Sequence, residues 1–318
     1  MEWNHKRPGF HTLTARTLDE FVAFTNRPDH AERAEAFGRN QSEKHKLAHD
    51  WCMSTPIEQA QRLAGNREVW TDGAAQINGL AIQAAQKIQG MIGARKTVFA
   101  ETGARPHIAR FCAGEPRHMM RTKAGSERAR PGLNIVLNRF MAHWVKSDTV
   151  MALSAAATAF AVVMDRKGYR VRAHVGWIAP GAMGGRKKGL AMTAPLFSPA
   201  QPLNMARLAY FGAHPAAPRR TMFRAVEMGG ERLKSFTEYG MNDVAQTATE
   251  RARQLKTLRQ SMGLSEGDKL VILPGRIDGT SEEYCGLYES IQRASADKRM
   301  AEALEGVIEQ AKLQGVEV

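Results

Sequence analysis

The chain is short of cysteine. Cys52, Cys112 and Cys285 are its three, far apart in 318 residues. An odd count without regular spacing is not a disulfide framework and fits a reducing compartment, so the expected location is cytoplasmic. Long apolar runs are missing too. The longest, Met151 to Met164, is 14 residues bounded by Asp148 and Asp165. A membrane helix needs about 20 apolar residues, so this run reads as a buried core helix and no membrane partner is expected. The opening MEWNHKRPGFHTLTAR has no apolar core of the signal-peptide kind. Catalytic signatures are also lacking: there is no GxSxG, no HExxH, no paired CxxC, and no GxGxxG after a strand. PGAMGGRKKG (180–189) fails the phosphate-loop pattern, because Arg186 stands where the second glycine belongs. It reads as a basic hairpin tip. No cofactor is expected.

Positive charge is what the chain has in excess. The net charge is +13. Residues 101–190 hold 16 Lys+Arg against 5 Asp+Glu, or +11, while residues 191–318 hold 16 of each. A positive field confined to one segment suits an anionic partner, nucleic acid above all. The plain alternative is a solvated basic surface.

Hydrophobic periodicity gives a mainly helical region at 1–94, a hairpin and basic linker at 95–130, and an α/β domain at 131–318. TLDEFVAFTNR starts a helix capped by Thr17. Val98 and Ile108 flank the turn-forming Glu101–Gly103 of the expected hairpin. GLNIVLN, the alanine-rich helix 149–167 and YRVRAHVGW read as strand, helix and strand of a βαβ unit, with parallel strands. KLVILPG is the clearest buried strand. A mostly parallel sheet, Rossmann-type with helices on both faces, should include 133–138, 169–177 and 269–274.

Four places carry candidate chemistry. FCAGEPRHMM sets Cys112 and His118 six residues apart among arginines. Metal binding needs three or four converging ligands, so a structural turn is the reading and no metal is expected. On 169–177, Arg170, Arg172 and His174 share one face, and Arg186, Lys187 and Lys188 follow on the next loop. These six form the candidate nucleic-acid stripe. Tyr169 and Trp177 point the other way, so contacts should be to phosphate with little base preference. His214 with Arg219 and Arg220 is a candidate anion site, or else a helix break followed by a solvated basic turn. Asp278, after KLVILPG, lies where ligands gather in open α/β sheets. It equally suits an Asp-Gly turn.

Read in order, TLDEFVAFT, REVWTDGAAQI, CAGEPRHMM, GYRVRAHVG, LNMARLAYFGAHPAAPRRTMF and LVILPG resemble an uncharacterised family of phage and prophage proteins. Region 131–318 resembles a von Willebrand factor A domain. Such domains often hold metal through Asp-x-Ser-x-Ser after the first strand. Here that stretch is Asn138-Arg139-Phe140-Met141-Ala142, so the resemblance implies a lost metal site.

Three functions fit these residues. The first is a non-enzymatic accessory protein binding nucleic acid or another polyanion through 101–190. The second is an interaction or virion-assembly component docking another phage protein, in the host cytoplasm or the virion. The third is an enzyme with its site near Asp278.

Overall fold

The computed structural model describes residues 1–5, 10–37, 52–92, 97–100, 105–106, 110, 115–117, 119–122, 132–139, 145–179, 189–197, 204–233, 248–274 and 281–317. Its strands are β1 (Phe10–Thr14), β2 (Thr97–Ala100), β3 (Arg105–Pro106), β4 (Met119–Thr122), β5 (Gly132–Asn138), β6 (Arg170–Ala179), β7 (Gly189–Phe197) and β8 (Lys269–Leu273). The helices begin with α1 (Leu18–Thr25), α2 (His30–Phe37), α3 (Ile57–Ala64), α4 (Thr71–Ile92) and α5 (Ser147–Arg166). They continue with α6 (Met205–Ala213), α7 (Phe223–Glu227), α8 (Ala248–Ser261), α9 (Ser281–Arg293) and α10 (Arg299–Leu313).

The main sheet has five strands in the order β1-β7-β6-β5-β8. β5 is parallel to both β6 and β8, and β1 is parallel to β7. β6 and β7 are antiparallel. The sequence expectation of a mostly parallel sheet built from the 133–138, 169–177 and 269–274 segments therefore holds. β1 had no counterpart in that expectation. Five residues at an edge, FHTLT, carry too little alternation to announce a strand.

The turn Glu101–Gly103 and Ile108 of the expected hairpin at 95–112 lie outside the described residues. β2 and β3 do not pair with each other; both pair antiparallel with β4, in a separate sheet of order β2-β4-β3. The strand MMRT supplies the central partner, so Met119 and Met120 lie in a ladder and not in a loop.

One sheet face, with Leu13, Leu133, Ile135, Leu137, Val171, Val175, Trp177 and Met192, joins the large core under α4, α5, α6 and α10. α5 is apolar all round because it is buried all round. By length and composition it could cross a membrane, but 83% of its apolar stretch is buried by neighbours. Ser154 ties it to α6 by donating to Gly212 O. The opposite face carries a smaller cluster: Phe10, Val136, Ile178, Ala191, Leu270 and Ile272, covered by Leu258 of α8. α8 ends in a Schellman turn. Gly263 takes a φ of +66° while Leu264 N bonds Arg259 O.

The described residues before 93 contribute to the same core, among them Phe21, Phe37, Leu63 and Ile77. Thr17 Oγ1 accepts from Glu20 N at 3.0 Å and caps α1, as its sequence predicts. His30 of α2 meets Glu227 of α7 at 2.8 Å, a fully buried pair.

Candidate functional site

The period-two pattern of β6 places Arg170, Arg172, His174 and Ile178 on one face, the face that α8 covers. Arg170 and Arg172 reach solvent beyond the helix. His174 does not share their role. Its Nε2 is buried with no hydrogen-bond partner. Burial, helped by the charge of Arg172, brings its pKa down to about 4, so the ring is neutral at pH 7. His174 is thus a correction to the expected stripe: it adds no charge. On β5, Asn134, paired with Arg172, is buried and its Oδ1 is likewise unpartnered.

α8 adds cations that the sequence reading passed over. Arg253 and Lys256 are exposed, while Gln254, Thr257 and Leu258 turn inward. The segment is amphipathic at helical period, and its charged side is the one facing out. Arg259 serves the fold instead, donating to Ser265 O at 2.8 Å and Asp268 O at 2.9 Å. Burial opposes ionisation of Asp268. Hydrogen bonds from Ser265 and Gly132 and the charge of Arg170 outweigh it and lower the pKa. Arg186, Lys187, Lys188 and Asp278 lie outside the described residues, as do Cys112 and His118.

A second basic group lies at the carboxyl edge of the parallel strands. α5 carries the chain from β5 to β6, whereas β8 sits on the other side of β5. The boundary between β5 and β8 is therefore the switch point of the sheet. Arg139 immediately follows β5 there, 2% exposed, its N–H donating to Gly176 O at 2.7 Å. Asn138 fixes this edge with a two-way clamp on β6. Its Nδ2 donates to Ile178 O at 3.0 Å and its Oδ1 accepts from Ile178 N at 2.9 Å. Gly176, paired with Asn138, lies against the side chain of Val136: a Cβ there would come within 2.6 Å of Val136 Cγ1.

His214, Arg219 and Arg220 come to the same edge. Pro215 disfavours helical geometry at His214, which turns extended (φ −68°, ψ 128°) and ends α6. Pro218 removes the N–H that an α-helix would send back to His214 O, and Ala217 N bonds that oxygen at 3.0 Å. The chain continues as a π-helix, Ala217–Met222, bearing both arginines. The solvated basic turn is not what forms, because Arg219 and Arg220 are 5% and 1% exposed. The apolar residues around them, Ala216, Ala217, Met222 and Phe223, drag the pair inward.

The charges at this edge interact. Burial and then the Arg139 charge lower Arg219 to about 10 and His214 to about 4. Arg220 is held from below: Nε donates to Thr55 O at 3.3 Å and Nη2 reaches Cys52 Sγ at 3.6 Å. Trp70 and Tyr210 flank His214 with ring centroids at 4.6 and 5.6 Å. His214 Nδ1 accepts from Ala216 N at 3.1 Å, which leaves the ring proton on Nε2. Cys52, Thr55 and Tyr210 were not singled out by sequence. Arg139 was named only in the stretch where a von Willebrand factor A domain would hold metal; its place just past a buried strand is the signal that could have marked it.

Among the described residues, no three His, Cys, Asp or Glu side chains are grouped to hold a metal. A shallow cleft near Trp3, His5 and Arg232 contains Arg27, Asp29 and Arg33, which pair with one another.

No curated protein and no solved structure matches the chain. Residues 10–265 match a family model described as a domain of unknown function, DUF7192, a span running from β1 past α8. The chain belongs to this uncharacterised DUF7192 family.

Proposed function

We propose that the chain binds nucleic acid by its phosphates, across the sheet face covered by α8. The observation that carries this reading is that Arg170 and Arg172 on β6 and Arg253 and Lys256 on α8 are all exposed on that side. The other face is closed by α4, α5 and α10. Tyr169 and Trp177 are buried, away from this surface, so it offers charge more than stacking. In this reading the protein is a non-enzymatic accessory of a phage or prophage. A von Willebrand factor A-like sheet serves as its scaffold.

Neutralised phosphates release counterions, so binding must weaken with salt. Four contacts give a log–log slope of roughly −3.6 on duplex DNA. Fluorescence anisotropy across a salt series should show that slope and similar affinities for unrelated sequences. Changing Arg170, Arg172, Arg253 and Lys256 to Ala together should abolish most of the salt dependence. Absence of binding by the wild type at low salt would sink the proposal. Binding insensitive to salt would point instead to a protein partner.

A further inference from the structure

We infer that the outward face of α4 is a self-association surface, where a second copy of this chain packs its own α4 antiparallel about a two-fold axis at Gly79. The inference does not depend on nucleic-acid binding. α4 packs on α5 and α6, under the sheet face away from α8. Ile77 and Ala84 turn into the core, while Asp72, Ala75, Gly79, Ile82, Gln83 and Gln86 are exposed. At helical period these six share one face, with Gly79 at its centre. A glycine in the middle of a helix is less favourable than alanine, so its presence needs a reason. The protomer supplies none: a Cβ on Gly79 would meet nothing within 4 Å, and its φ is not positive. The reason lies outside the protomer. Without a side chain at that point, a second helix can come close.

Charge selects the partner. Residues 73–86 hold no charged side chain, in a chain where 24% of residues are charged. Among the described helices α5 alone has a longer uncharged run, and α5 is buried. With a net charge of +13, two copies repel each other wherever their cations meet, and the middle of α4 is where they do not. Asp72 and Lys87 bracket that run. Both are exposed, and neither has an ion-pair partner among the described residues. They are 15 positions apart, about 22 Å along the axis, so they cannot pair within one helix. Gly79 lies almost midway between them. About a two-fold axis there, Asp72 of each copy comes level with Lys87 of the other, and Ala75 with Gln83. An isologous contact repeats each pairing, so opposite charges meet twice. Parallel packing would instead set Asp72 against Asp72 and Lys87 against Lys87. Lys87 stands at the flank of the face, where a long side chain reaches across. Ile82, 52% exposed, supplies apolar contact. One helix face about 33 Å long is small beside the ~800 Å² per partner of a standard interface, so the dimer should be reversible.

Sedimentation velocity on the full chain, from low micromolar to several hundred micromolar, tests the inference. The wild type should pass from monomer to dimer and no further. Gly79→Glu sets like charges against each other at the axis and should stay monomeric throughout. Its Tm should not fall, because the new Cβ has open space. Asp72→Lys and Lys87→Asp should each weaken association at least tenfold. Lys87→Asp does so while lowering the net charge, which a general charge effect would not. Asp72→Lys combined with Lys87→Asp should restore the dimer, since each copy then offers the reversed pair. The four-fold variant at Arg170, Arg172, Arg253 and Lys256 should dimerise as the wild type does. A wild type that stays monomeric across the series would overturn the inference. So would a dimer that Gly79→Glu and both charge variants leave intact, which would place the contact on another face. A combined swap that fails to restore association would overturn the antiparallel pairing.

Discussion

Arg170 with Arg172 and Arg219 with Arg220 look alike in the sequence, two basic pairs within one or two residues. In the fold they are opposites. The first pair stands in solvent on a sheet face; the second is 5% and 1% exposed at the sheet's edge. Context decides. β6 alternates, so its arginines must face away from Tyr169, Val171 and Ala173. The π-helical segment is buried together with its apolar neighbours Ala216, Ala217, Met222 and Phe223, and the arginines go in with them. A basic pair on a strand states its own exposure, whereas a basic pair after a helix break does not.

The sharpest way to break this comparison is to remove one arginine from each pair. Arg220→Ala deletes a fully buried side chain that bonds Thr55 O and contacts Cys52. It should cost roughly 3–5 kcal/mol, as loss of one partner from a buried polar network does. Urea unfolding at pH 7 measures it against Arg170→Ala, which should be near neutral. Equal small effects would mean that burial of Arg220 carries no energetic weight.

Acid should act on both regions through their histidines. His174 lies on the α8 face and His214 at the edge, and burial holds each near pKa 4. The unfolded chain takes up these protons near pH 6.5 and the folded one resists until about pH 4. The neutral rings therefore favour folding above pH 6.5, and that contribution is lost as pH falls toward 4. A shift of this size corresponds to roughly 3 kcal/mol per ring. Unfolding series at pH 7, 5.5 and 4.5 should show the loss, and His174→Gln with His214→Gln should flatten it.

Gly176 sharpens the edge itself. In Gly176→Ala the new Cβ would meet Val136 Cγ1 at 2.6 Å, within a strand pair clamped by Asn138. Overpacking should cost about 1–3 kcal/mol. Thermal unfolding checks it, and an unchanged Tm would show that β5 and β6 can part without penalty.

The parallel strands were legible because each is a short apolar run or a clean alternation, as in KLVIL and RVRAHV. α5 was legible as a core helix because Asp148 and Asp165 bound its apolar run. Pairing partners were not legible. MMRT takes both β2 and β3, and nothing local in Val98 announces that partner. β1 forms the sheet edge by pairing with β7, 179 positions away, with Phe10 opposite Gly189, through contacts no periodicity encodes. The strand-end group was half legible. His214, Arg219 and Arg220 are neighbours in sequence, but Arg139 and Cys52 reach them only through the fold. His174 misled because alternation gives the face of a residue and not its depth.

The smallest expected effect concerns the solvent-facing pair. Arg170→Ala and Arg172→Ala remove exposed cations whose neighbours hold without them, so stability should change by within about 0.5 kcal/mol. The two are not equal in one respect. Arg170 helps hold Asp268 ionised, beside the hydrogen bonds that Asp268 accepts from Gly132 N at 3.0 Å and Ser265 N at 2.9 Å. Those bonds fasten the turn before β8 to the start of β5. Without Arg170 the pKa of Asp268 should rise toward its ordinary value, and the turn should loosen a little sooner as pH falls toward 4. Arg172 has no such partner in its effects, and its loss should relieve His174 of a nearby positive charge. Each variant should nevertheless reduce the salt slope of nucleic-acid binding by about 0.9 if its arginine holds one phosphate. Anisotropy on the two single variants reads the slope, and carboxyl NMR titration reads Asp268. Equal slope losses with a shifted Asp268 in Arg170→Ala alone would confirm that binding and local structure divide between two residues only two positions apart. A slope unchanged in both would remove β6 from the binding surface.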